Sequence, residues 1–120
     1  MKTFIEPWLT VQGGTKAIKF YKNAFDAAEV YHLEDPDGNV VSRLSIDGAT
    51  FWISDGEAQQ NKENIPVRMI LTVEDPDTIF TKAIEAGATE VFPVGEEHGW
   101  RLGRLVDPFG HHWEIGKQLS

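Results

Sequence analysis

Gly48-Ala-Thr-Phe-Trp-Ile53 and Gly110-His-His-Trp-Glu-Ile115 are the two stretches on which the fold turns. They share few identities, yet Gly48 falls on Gly110, Phe51 on Trp113 and Ile53 on Ile115 at a single offset of 62 positions. The same offset lays Glu6-Pro-Trp-Leu-Thr-Val11 over Arg68-Met-Ile-Leu-Thr-Val73, with Leu9 on Leu71 and Val11 on Val73. Between each pair of anchors run a helical stretch and two turn-bounded apolar segments. One unit is therefore written twice. Because neither copy alone could bury its apolar face, a pseudo-symmetric fold with a site between its halves is expected.

Working outward, Phe4 to Val11 reads as a strand, and Thr15 is placed to cap a helix running to Phe25. Ala17, Ile18, Tyr21, Ala24 and Phe25 recur at three- and four-residue steps and form one apolar stripe. Ala28 to Leu33 and Val40 to Ile46 are strands joined by the reversal Asp35-Pro36-Asp37-Gly38, and Ala49 to Ser54 follows the turn at Asp47-Gly48. The second copy repeats the order. Val67 to Val73 is a strand, Asp75-Pro76-Asp77 caps and starts a helix through Ala86 with the stripe Ile79, Phe80, Ala83, Ile84, and Gly87 supplies the C-terminal cap. Strands near Glu90 to Val94, Leu102 to Val106 and His111 to Gly116 complete it. The expected fold is α+β: two β-α-β-β-β modules, each a curved mixed four-stranded sheet with a helix on its convex side. Module 1 spans about 1–56, the polar stretch 57–66 is the linker, and module 2 spans about 67–120.

The bulk properties bound the function. The 120 residues amount to one domain, 41% hydrophobic and 25% charged, with no apolar run long enough for a bilayer. Met1-Lys2-Thr3-Phe4-Ile5-Glu6-Pro7 lacks the apolar core of a secretory signal, so a cytoplasmic location is expected. Absence of cysteine excludes disulfides, thiolate ligands and a cysteine nucleophile. A formal charge of -8 argues against nucleic acid and anionic membrane as partners. Gly13-Gly14 lacks the spacing and the basic residue of a phosphate loop, and no serine stands in a nucleophile-elbow pattern.

Alternation along strands then divides the helix-facing side chains from those facing a cavity. Leu9, Val11, Leu71, Val73, Phe51, Ile53, Trp113 and Ile115 belong to the core. Glu6, Trp8, Thr10, Arg68, Ile70, Thr72, Thr50, Trp52, His112 and Glu114 are left on the opposite faces. The offset pairs Glu6 with Arg68 and Trp52 with Glu114, and these four are expected to converge.

These residues carry a likeness. Trp8-Leu-Thr-Val11, Ala17 to Phe25, Leu33-Glu-Asp-Pro-Asp-Gly38, Glu85-Ala-Gly-Ala88, Trp100-Arg101 and Asp107-Pro-Phe-Gly-His-His-Trp-Glu-Ile115 together resemble the vicinal oxygen chelate superfamily, in particular its PhnB-like branch. That superfamily holds glyoxalases, extradiol dioxygenases and fosfomycin- and bleomycin-resistance proteins. Its metal-dependent members ligate a divalent ion through a His near the start of each first strand and a Glu in each last strand. Here Glu114 matches, Glu6 substitutes another oxygen donor, Trp52 has no ligating atom, and Arg68 brings a fixed positive charge without a lone pair. The resemblance thus implies a degenerate metal site in which Arg68 bridges Glu6 and Glu114.

His111 and His112 are strand neighbours and cannot serve one face. His112 is the better ligand or base, and His111 reads as a turn residue. Trp8, Trp52 and Trp100 suit a flat or cationic ligand by stacking, with Trp100-Arg101 resembling a pocket-edge segment of the family. Two functions stay open on these grounds. One is a binding module for a small organic molecule, in the manner of bleomycin-resistance proteins, with ligand contacts from Trp8, Trp52, Arg68, Trp100, Arg101 and His112 and no cofactor. The other is a divalent-metal-dependent isomerase, lyase or dioxygenase in which Glu114, Glu6 and His112 hold the ion. A homodimer is implied by the resemblance in either case.

Overall fold

The computed structural model describes residues 3–56 and 67–119, so the expected linker 57–66 lies outside the described residues. The chain divides into two compact units, one built from 3–22 and 26–56, the other from 23–25 and 67–119.

In the first unit, β1 (Trp8–Val11), α1 (Gly14–Phe25), β2 (Ala28–Glu34), β3 (Val40–Ile46) and β4 (Ala49–Asp55) give a sheet of order β1-β4-β3-β2. In the second, β5 (Met69–Thr72), α2 (Pro76–Ala86), β6 (Thr89–Glu97), β7 (Trp100–Val106) and β8 (His112–Gln118) give β5-β8-β7-β6. Each sheet is mixed: the first and last strands of a unit pair in parallel and the remaining ladders are antiparallel. The α+β class with two β-α-β-β-β units is therefore the observed one. The repeat is carried into the hydrogen-bond register. Trp8 pairs with Trp52 as Ile70 pairs with Glu114, and Leu9 with Ile53 as Leu71 with Ile115.

The apolar stripe of α1 is buried along its whole length, from Ala17 and Ile18 through Tyr21 and Ala24 to Phe25. Each large side chain removed from water in this way contributes about 1.5 to 3 kcal/mol. Tyr21 meets Phe51 edge-on at 5.2 Å between ring centres, which fixes the helix over β4. Thr15 does not cap α1. It lies inside the helix behind Gly13 at the cap position, and the free amide of Gly14 donates instead to Asp55 Oδ1 at 2.6 Å. Asp55 Oδ2 accepts from Val40 N at 2.7 Å, so one carboxylate at the end of β4 ties a helix start to a strand start. A Cβ at position 14 would lie 2.9 Å from that carboxylate, which is why glycine stands there. At α2 the expected cap is present: Asp75 accepts from Thr78 N and Oγ1, and Gly87 closes the helix at φ +123°.

Strand β1 begins only at Trp8, because Pro7 has no N–H for the ladder, although its carbonyl accepts from Trp52 N at 2.9 Å. Leu9, Val11, Phe51, Ile53, Leu71, Trp113 and Ile115 are all buried on the helix side, as alternation requires. Among the described residues, no helix is long and apolar enough to cross a membrane.

Candidate functional site

The first unit leaves the face opposite α1 open. Glu6, just before β1, reaches across it. Arg43 donates to Glu6 Oε2 through Nε at 2.7 Å, with Nη2 2.6 Å away, the Thr50 hydroxyl donates to the same oxygen at 2.5 Å, and Trp52 Nε1 donates to Oε1 at 3.2 Å. The Thr50 hydroxyl foremost, then Arg43 and Trp52, hold the Glu6 carboxyl below the usual carboxylate range against the opposing effect of desolvation. Arg43 is the middle residue of β3, between Ser42 and Leu44, which are both buried on the other face.

Aromatic rings surround this ion pair. Trp8 stacks on Trp52 at 5.7 Å and 18° and anchors its indole N–H on Ser54 Oγ at 2.9 Å. Tyr31 meets Trp52 edge-on at 5.6 Å, and the Arg43 guanidinium lies 5.6 Å from the Trp52 ring and 5.9 Å from Phe4. Trp8, at 55% exposed, and Phe4, at 64%, are far more open than a core aromatic. Beside them opens a cleft of about 450 Å³ lined by Phe4, Ile5, Glu6, Arg43, Gly48, Ala49 and Thr50. A rigid indole pair next to a neutralised carboxylate offers a flat apolar wall with a polar edge, the usual makeup of a small-molecule site.

The second unit exposes the equivalent face of β5, β8 and β7. Glu114 lies across from Ile70 on β5 and Arg104 on β7. Its carboxylate is 3.6 Å from Arg68 Nε, a looser pairing than Arg43 makes with Glu6. Arg104 Nη2 lies 3.2 Å from His112 Nδ1. Burial first, and the Arg104 guanidinium second, push the His112 imidazole below its ordinary value.

The expected site residues are therefore gathered in two sets. Glu6, Trp8 and Trp52 meet on the first sheet, and Arg68, His112 and Glu114 on the second. Trp100 opens β7 on the face it shares with Arg104, whereas Arg101, its strand neighbour, projects to the other side. There Arg101 clamps Asp77 at the start of α2 with Nε at 2.7 Å and Nη2 at 2.6 Å. Within its own unit, the charge partner of Glu6 is Arg43. Two residues escaped the sequence reading, Arg43 and Arg104. Both stand opposite their unit's central β4 or β8 residue, Trp52 or Glu114. His111 is at the turn as expected, its amide donating to Asp107 Oδ1 at 2.9 Å.

The donor chemistry of these positions does not fit a divalent ion. Glu6 has its oxygens committed to a guanidinium, a hydroxyl and an indole N–H, and the remaining carboxylate, Glu114, faces the cation of Arg68. Arg68 puts a fixed positive charge at one ligand position, and Arg43 puts another beside Glu6. Among the described residues, no three His, Asp or Glu side chains form a group that could hold a metal ion.

The family model for the glyoxalase-like domain matches residues 9–116. An uncharacterised protein of Mycobacterium bovis is 37% identical over 126 residues, covering 96% of this chain and 83% of its own length. The solved structure of an Arabidopsis thaliana gene product superposes with a TM-score of 0.75 at 30% identity, over 98% of this chain and 100% of that one. The fosfomycin resistance protein FosX from Listeria monocytogenes, in a crystal structure complexed with Mn(II) and sulfate ion, superposes with a TM-score of 0.76. Its identity is 19%, over 98% of this chain and 93% of its own, a likeness of fold.

Proposed function

Because the chain belongs to the glyoxalase-like domain family, we propose that it binds a small organic molecule at a site whose metal positions have been taken over by ion pairs. The observation that carries this reading is the Glu6 carboxylate, held by Arg43, Thr50 and Trp52 and so withdrawn from coordination. The ligand's flat part lies on the Trp8–Trp52 stack, and its polar part addresses the Arg43–Glu6 edge of the neighbouring cleft. Binding of this kind, without turnover, is the manner of bleomycin-resistance proteins, and the sequence motifs favour the PhnB-like branch. A homodimer in the cytoplasm completes the reading.

Screening small aromatic and cationic compounds in the presence of a chelator, by tryptophan fluorescence and thermal shift, tests it. Ligands that stabilise the wild-type chain and lose at least about tenfold in affinity in Trp52→Ala support it. Binding or turnover that requires a stoichiometric divalent ion and disappears in Glu114→Gln would overturn it in favour of a metal-dependent isomerase, lyase or dioxygenase.

A further inference from the structure

The open face of the second sheet carries two guanidinium groups, and one of their donors is buried. Arg104 rises from the middle of β7, and its Nε is enclosed without a hydrogen-bond partner among the described residues. An enclosed guanidinium N–H with no acceptor is costly, and native structures rarely leave one. The one bond Arg104 makes here among the described residues adds a further donor. A guanidinium only donates, so His112 Nδ1 must accept from Nη2, and the neutral ring then carries its proton on Nε2, a further donor. Arg68 brings a second guanidinium, whose acid, Glu114, lies 3.6 Å from Nε, beyond a good hydrogen bond. Among the described residues, the one carboxylate within 4 Å of either arginine is Glu114, so two arginines and an N–H imidazole share it, in a chain of net charge -8. On the first sheet the corresponding Arg43 is neutralised by Glu6 at hydrogen-bonding distance, so the imbalance belongs to the second sheet alone.

We infer that this face binds a small oxyanion, the carboxylate or phosphate group of a ligand, with Arg104 as its principal contact and Arg68 as the second cation. An oxyanion supplies acceptors to the idle Arg104 Nε and to the Nη protons that His112 does not use, in the fork geometry that suits a planar guanidinium. It also offsets the excess positive charge on this face. The inference rests on the proposed small-molecule reading only in taking the open faces as ligand-binding, and it adds the charge of the ligand's head and a contact residue.

The test is a titration of the full-length, 15N-labelled chain followed through the Nε–H signals of its four arginines. Inorganic phosphate, acetate and sodium chloride are compared at matched ionic strength, with Arg104→Lys identifying the Arg104 signal. A saturable shift of the Arg104 and Arg68 signals is expected with phosphate or acetate, and the stronger of the two identifies the headgroup. Arg104→Lys keeps the charge but loses the fork, and weakens binding about tenfold or more. Arg68→Gln, at a more exposed position, gives a second loss of affinity should the first variant fold poorly. An Arg104 signal unmoved by either anion, or moved equally by chloride, would overturn the inference and leave a buried water as the partner of Nε. Aromatic ligands that bind while both anions fail would sink the oxyanion and leave the proposed function standing, and failure of all three would remove both.

Discussion

Glu6 Oε2 lies 2.7 Å from Arg43 Nε and 2.6 Å from Nη2, whereas Glu114 Oε1 stands 3.6 Å from Arg68 Nε. The two sheets share a register but not an electrostatic arrangement. The first pair is closed by a hydroxyl and an indole N–H as well, and the second stays open to an additional partner.

Glu6→Gln and Arg43→Met are expected to be strongly non-additive. Removing either partner leaves the other without its counter-charge, so the double variant melts no lower than the worse single one. A double-mutant cycle by thermal denaturation checks this, and simple additivity would mean that the pair contributes nothing as a unit.

The same carboxylate sets an acid limit on stability. Its folded-state value is lowered from the ordinary 4.5, so its contribution is fully present above that value. It is lost as the pH falls through the lower folded value, since the unfolded chain then binds the proton more readily. Urea midpoints measured between about pH 6 and pH 3 will fall more steeply for the wild type than for Glu6→Gln. Parallel curves would contradict the assignment.

How much of this could be read in the residues follows from where the repeat holds its spacing. The offset of 62 is preserved through β1, β4, β5 and β8, so the strand order, the core and the positions of Trp52 and Glu114 follow from sequence. Arg43 and Arg104 are also equivalent, but at an offset of 61, because the path from Arg104 to its partner Glu114 is one residue longer than that from Arg43 to Trp52. That slip hid the pair. Alternation within Val40 to Ile46 was the available signal, since the small and apolar Ser42 and Leu44 flank Arg43. The cap of α1 was illegible for another reason: Asp55 lies 41 positions from Gly14, and only the folded sheet brings it there. Trp100-Arg101 reads as one motif in the sequence, yet strand neighbours face opposite ways.

Asp107 illustrates a turn that is more than a connector. It is buried, and it accepts from the amides of Phe109 and His111 and from Trp113 Nε1, each at 2.9 Å. Asp107→Ala strands these donors, and a loss of about 2 to 4 kcal/mol is expected by urea denaturation. Trp113 emission should shift as its indole N–H loses its acceptor. A loss below about 0.5 kcal/mol would mean that water replaces the carboxylate freely.

Gly103 has a steric role. A Cβ there would lie 2.9 Å from the Phe80 ring and 2.9 Å from Val94 Cγ2. Gly103→Ala should cost about 1 to 3 kcal/mol through overpacking, and Phe80→Leu in the same chain should recover part of it. Absence of any rescue would place the strain elsewhere in β7.

The central claim is that guanidinium ion pairs replace the metal, and the most direct measurement is a melting scan of chelated, untagged protein with Mn, Fe(II), Co, Ni, Zn and Mg ions, alongside elemental analysis. The account predicts no stoichiometric metal and no upward shift with any ion. Stoichiometric metal, or a rise in melting temperature that vanishes in Glu114→Gln, would contradict it.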